Sequence, residues 1–154
     1  MTSFQRFHAK YVGRTGASVG VFVAVDHLRR TGRLSEEEVT CYAVADDWFQ
    51  ENLPNPPFYE DGNSIGAVTW FRESADDMTA RLQPLLAILD AKRVAWEHSV
   101  STDPGQVVYQ DQWQVGVIPA SRMAMTPLPY PGELGPSDWF EVRERYVQGT
   151  RPGL

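Results

Sequence analysis

Between Val94 and Ile118 apolar and polar residues alternate almost without interruption, and no other stretch constrains the fold as strongly. Side chains two residues apart share a face of a strand, so the stretch reads as two long strands. The turn joining them is Thr102-Asp103-Pro104-Gly105, where Pro presets φ and Gly accepts φ > 0. With Asp103 and Pro104 at the tip, Val100 faces Val107, His98 faces Tyr109, Trp96 faces Asp111 and Val94 faces Trp113. Turn chemistry and alternation are separate signals, and both put the apolar residues of the two strands on one face. That register makes His98 and Asp111 diagonal neighbours among Trp96, Tyr109 and Trp113.

The rest of the chain supplies further strands and helices. Residues 4–12 alternate, with Phe7, Ala9 and Tyr11 on one side and Arg6, His8 and Lys10 on the other, the pattern of an edge strand with a charged outer face. Ser18 can cap a helix ending at Arg29-Arg30 and Gly32, although its valine-rich start also suits a strand. Val19, Phe22, Val23 and Val25 are its expected core residues. Ser35-Glu36-Glu37-Glu38 is a capping box opening a second helix that runs to about Asn52, with Val39, Tyr42, Ala43 and Phe49 as its apolar stripe. A proline-rich loop, Leu53 to Ser64, carries the adjacent aromatics Phe58 and Tyr59 and reads as the wall or lid of a groove. Residues 66–72 are apolar on both faces, as a central strand requires. A helix from Ser74 follows, with Met78, Leu82, Leu85, Leu86 and Leu89 buried and a break expected at Pro84. If the strands at 66–72 and 94–100 are parallel, this helix forms a right-handed crossover between them.

These elements predict an α+β fold: a mainly antiparallel sheet of four to five strands with helices packed on one face. Residues 1–118 form the single domain. Residues 119–154 form a proline-rich arm, with Pro127, Pro129, Pro131 and Pro136, and a short terminal helix bearing Trp139, Phe140 and Tyr146. The arm is expected to dock on the domain or on a second subunit, the latter giving a homodimer. The element order fits a small single-domain bacterial protein and matches no family whose activity could be carried over.

Composition narrows the function classes. No apolar run reaches the ~20 residues of a membrane span, no signal-peptide pattern opens the chain, and Cys41 stands alone. A cytoplasmic protein is the expectation, with Cys41 a structural thiol. One Cys and three scattered His offer no metal-ligand spacing, and no nucleotide or hydrolase motif is present, so neither metal nor cofactor is expected. The net charge of −6 is uneven: residues 1–33 hold six basic residues against Asp26 alone, and the remainder holds eight against nineteen acidic ones. Only two of the basic residues are Lys, and none clusters with exposed aromatics, which argues against nucleic acid as a partner.

The residues left to carry chemistry are those of the hairpin face. A carboxylate on an apolar strand face needs a hydrogen-bonding partner. Paired with His98, Asp111 would fix the imidazole tautomer, the arrangement of a general base. The first expectation is therefore a small hydrophobic or aromatic ligand held by Trp70, Trp96, Tyr109, Trp113, Phe58 and Tyr59. His98 and Asp111 would be the catalytic pair of a cofactor-independent isomerase, cyclase or dehydratase. The alternative is a non-enzymatic binding module (inhibitor, immunity protein or adaptor) that uses the aromatic loop and tail. Whether the chain is an enzyme is left open by the sequence, and Asp111 becomes a surface residue if the chain turns there.

Overall fold

A computed structural model describes residues 2–13, 17–60 and 62–119. They form an α+β fold built on a six-stranded, wholly antiparallel, curled sheet. The strands are β1 (Phe4–Val12), β2 (Ser18–Gly20), β3 (Val68–Arg72), β4 (Trp96–Ser101), β5 (Gln106–Gln110) and β6 (Gln114–Ile118). One path through the sheet runs β2-β1-β3-β6-β5, and β4 lies along the other side of β1. The proline-rich arm and terminal helix expected at 119–154 lie outside the described residues from 120 onward.

The helices form where their local signals place them. In α1 (Val21–Arg30) the C-terminal turn closes with Gly32 N–H donating to the Arg29 carbonyl and Arg33 N–H to the Leu28 carbonyl. Ser18 does not cap this helix, because residues 18–20 are drawn into β2 by pairing with β1. The Ser35–Glu38 capping box opens α2 (Glu36–Asn52) as expected, with both reciprocal hydrogen bonds made. Its buried residues are Ala45 and Phe49, whereas Val39 is 39% exposed. The third helix is broken into α3 (Asp76–Ala80) and α4 (Gln83–Ala91), with Pro84 in the first turn of α4, where a missing N–H costs nothing. Ser74 makes no cap, and α3 begins at Asp76. Leu82, Leu85, Leu86 and Leu89 pack with Phe22, Phe49 and Phe71 into the main core on the helical face of the sheet.

Two strand readings are corrected. Strand β1 is central, not an edge: β4 pairs with it from Phe4 through Ala9, while β3 takes Phe4 and Gln5 on its other side and β2 takes His8 to Val12. The alternation predicts a solvated charged face, but the sheet curls around that face and buries Arg6 and His8 to 5% and 8% exposure. The hairpin of 94–118 also does not form as read. The first of its strands, β4, pairs with β1, and the tight reversal comes later, between β5 and β6. Asp111 makes that reversal: its Oδ1 accepts the backbone N–H groups of Trp113 and Gln114, the side-chain turn that aspartate favours. Gly105 meanwhile lies against the Ile118 backbone so closely that no side chain would fit, which sets β5 alongside β6.

Strands β3 and β4 are both antiparallel to β1 and therefore parallel to each other, joined by α3 and α4. Reading 66–72 as a central strand holds, since β3 pairs with β1 and with β6.

Candidate functional site

Side chains follow the register. On the helical side, Phe7 of β1 faces His98 of β4. The two rings stack at 4.4 Å between centroids, and His98 Nε2 lies 2.9 Å from Gln5 Oε1. Trp96 sits next to them and donates from Nε1 to Asp90 Oδ1. Asp111 is elsewhere, at the β5–β6 reversal, where Tyr109 Oη and Gln114 Nε2 donate to its Oδ2. Burial and then the Asp111 carboxylate push the Tyr109 phenol up to about 12. His98 and Asp111 thus each satisfy a different neighbour, and the cross-strand pair expected of them does not form.

The expected aromatic set is divided among four places. Trp96 lies beside His98, and Trp113 packs at the edge of the main core. The loop residues Phe58 and Tyr59 come together with Tyr109 at β6. The Phe58 ring occupies the space over Gly116, Tyr109 Cβ borders the same space, and buried Tyr59 bonds to Thr69 through its hydroxyl. The loop backbone is tied down too, with Asn63 making a two-way hydrogen bond to Ala67 and the Pro54 carbonyl accepting from Gln114. Trp70 alone faces the other side of the sheet.

That other side holds a concave cavity of about 540 Å3. It opens where β1 exchanges partners: β3 leaves β1 after Gln5, and β2 joins at His8. Val12, Val68 and Trp70 supply apolar walls, while Arg6, His8 and Lys10 project from one face of β1. The Arg6 guanidinium is fixed across the gap, donating to Ser18 Oγ at 2.8 Å and to the Ser18 carbonyl at 2.7 Å. On the opposite side Arg6 is the strand partner of Ser99, and His8 is the partner of Glu97. His8 Nε2 lies 2.8 Å from Ser99 Oγ and 3.9 Å from a Glu97 carboxylate oxygen, and its Nδ1 lies 3.0 Å from the Ala9 carbonyl. Burial, then the Arg6 charge, hold the His8 imidazole below its ordinary pKa, against the Ala9 carbonyl and Glu97, which pull upward.

This cluster was missed in the sequence because an alternating charged face on a lone strand is the usual signature of a solvated edge. The signal that could have found it lies in β4, where Glu97, Ser99 and Ser101 alternate as Arg6, His8 and Lys10 do in β1. Two polar faces of matching period are free to pair with each other.

A second cavity, about 420 Å3, lies between α1 and α2 around Asp26, Arg29, Arg30 and Tyr42. Asp26 is only 1% exposed and accepts from both arginines and from the Tyr42 hydroxyl, so these polar groups serve one another. Among the described residues no three His, Cys, Asp or Glu side chains are grouped to hold a metal ion, and no helix is long and apolar enough to cross a membrane. Comparison of the chain with protein-family models, curated proteins and solved structures gives no match.

Proposed function

We propose that the chain is a small-molecule-binding protein whose ligand occupies the concave cavity between β1 and β3. Its ligand is flat and largely apolar, lies against Trp70, Val68 and Val12, and turns an electron-rich oxygen toward Arg6, His8 and Lys10. The observation that carries this reading is a cavity of about 540 Å3 with apolar walls and, on one wall, the buried Arg6 cation beside the buried His8 imidazole. Small-molecule sites are of this size and combine apolar walls with a few fixed polar groups. The alternative of a protein-binding module acting through Phe58 and Tyr59 draws less support, since Tyr59 is buried and Phe58 packs over Gly116.

The test is a fluorescence titration with 1-anilinonaphthalene-8-sulfonate, a flat apolar probe with an anionic end. Saturable binding to the native protein should weaken at least ~10-fold in Trp70→Ala, and Lys10→Gln should weaken it less, because Lys10 is exposed. Uncharged N-phenyl-1-naphthylamine should bind more weakly than the sulfonate. Equal binding by Trp70→Ala, with its thermal melt preserved, would remove the cavity as the site.

A further inference from the structure

We propose that Ser99 and His8 form a nucleophile–base pair that transfers the acyl group of a small apolar ester or thioester to water. The inference rests on the cavity reading for where the acyl chain lies, and on separate geometry for the chemistry. A carbonyl oxygen only accepts hydrogen bonds, so the contact between His8 Nδ1 and the Ala9 carbonyl puts the imidazole proton on Nδ1. The lone pair of Nε2 then faces Ser99 Oγ at 2.8 Å, and the serine hydroxyl donates to it. This is the order that activated serines require: a nucleophile bonded to a base, and the base oriented by a third group.

Two charges flank the pair. Arg6 pairs with Ser99 in the β1–β4 register, and its guanidinium, held to Ser18 on the far side of β1, keeps a fixed positive charge in the cavity toward which an oxyanion would turn. Glu97, 3.9 Å from His8 Nε2, stands where it would stabilise the imidazolium that follows proton transfer. Burial and Arg6 lower the His8 pKa, which leaves its Nε2 unprotonated and available to accept a proton at neutral pH. Ser99 itself is half-buried and lies next to His8, which lines the cavity with Glu97.

The reaction balances without any further reagent. Ser99 Oγ bonds to the carbonyl carbon as its proton passes to His8 Nε2. The bond from that carbon to the alcohol oxygen or thiol sulfur breaks, and the leaving group takes the proton from Nε2. Water then adds to the acyl-serine, giving its proton to Nε2, and Ser99 Oγ leaves with that proton as the free acid forms.

The full chain is treated with diisopropyl fluorophosphate and digested for mass spectrometry, and p-nitrophenyl butyrate hydrolysis is followed in parallel. One phosphoryl group is expected on the Ser99 peptide, together with a burst of nitrophenol. Ser99→Ala should lose both with an unchanged thermal melt. His8→Gln should slow labelling by at least ~10²-fold, the usual contribution of a general base. A purely structural pair would alter the melt and leave nothing to label. Absence of label on Ser99 in the native protein, or hydrolysis by Ser99→Ala at the native rate, overturns the proposal. If His8→Gln does not fold, the pH profile of labelling decides: a rise through a pKa below 6.5 supports His8 as the base, and a flat profile overturns it. Binding of the naphthalene sulfonate without labelling would remove the ester chemistry and keep the cavity. Labelling without such binding would do the reverse.

Discussion

Asp26 and His27 sit side by side on α1 and meet burial in different ways. His27, 2% exposed, stays neutral: burial pushes its pKa down to about 3, and its Nδ1 lies 2.7 Å from the Tyr11 hydroxyl. The unfolded chain therefore takes up this proton first as pH falls. Stability should be level above about 6.5 and should decline as pH drops toward about 3, by on the order of 4 kcal/mol at about 1.4 kcal/mol per unit. His8, also lowered, adds to the decline in the same direction. Urea midpoints measured between pH 7 and pH 4 should fall steeply in the native protein and much less in His27→Gln; parallel curves would refute the assignment. Asp26 stays buried beside two arginines. Asp26→Asn leaves Arg29 and Arg30 against a neutral amide and should cost about 2–3 kcal/mol at pH 7, discounted for the partial exposure of both guanidinium groups. An unchanged denaturation midpoint would mean that solvent already screens the network.

At the level of the element, signals confined to a few neighbouring residues were legible in the sequence. The Ser35–Glu38 box, the break at Pro84 and the leucine positions of the third helix depend only on local hydrogen bonding and periodicity, and they hold. Ser35→Ala should accordingly cost ~1 kcal/mol in thermal or chemical denaturation. Strand partners were not legible, because alternation fixes which face a residue takes and says nothing of which strand lies beside it. Val94 to Ile118 alternates in sequence, yet β4 is claimed by β1, the second run is divided into β5 and β6, and Asp111 serves the turn between them in place of His98. The candidate cluster of Arg6, His8 and Ser99 was hidden for the same reason, since it joins residues more than 90 positions apart. The contact between loop and sheet offers a check on packing at this level. A methyl group on Gly116 would lie 2.5 Å from Phe58 Cε2, so Gly116→Ala should cost about 1–3 kcal/mol. Adding Phe58→Ala should recover part of that loss in a double-mutant cycle, whereas strict additivity would show that the ring does not fill the space.

At the scale of the described fold, β1 is the strand that joins β2, β3 and β4. It is paired along both sides, carries Ala9 and Tyr11 into the main core, and carries Arg6 and His8 into the concave cavity. Amide hydrogen exchange should therefore be slowest in β1, and faster in β4 and β5, each bonded on one side only within the described sheet. Faster exchange at Phe7 to Ala9 than along β5 would contradict this topology.

The same arrangement bears on how the chain reaches its fold. Phe4 pairs with Ser101 and Ala9 with Trp96, so β1 waits for a strand synthesised about 90 residues later before that side of the sheet can close. Closing so long a loop must be achieved before the pairing gives any return, and folds dominated by such distant contacts assemble slowly. Throughout that delay the side of β1 that β4 will cover stays open, on a strand carrying three aromatic rings and a histidine. The nascent chain is thus open to capture, by a chaperone or by another copy of itself, for as long as β4 is still being made.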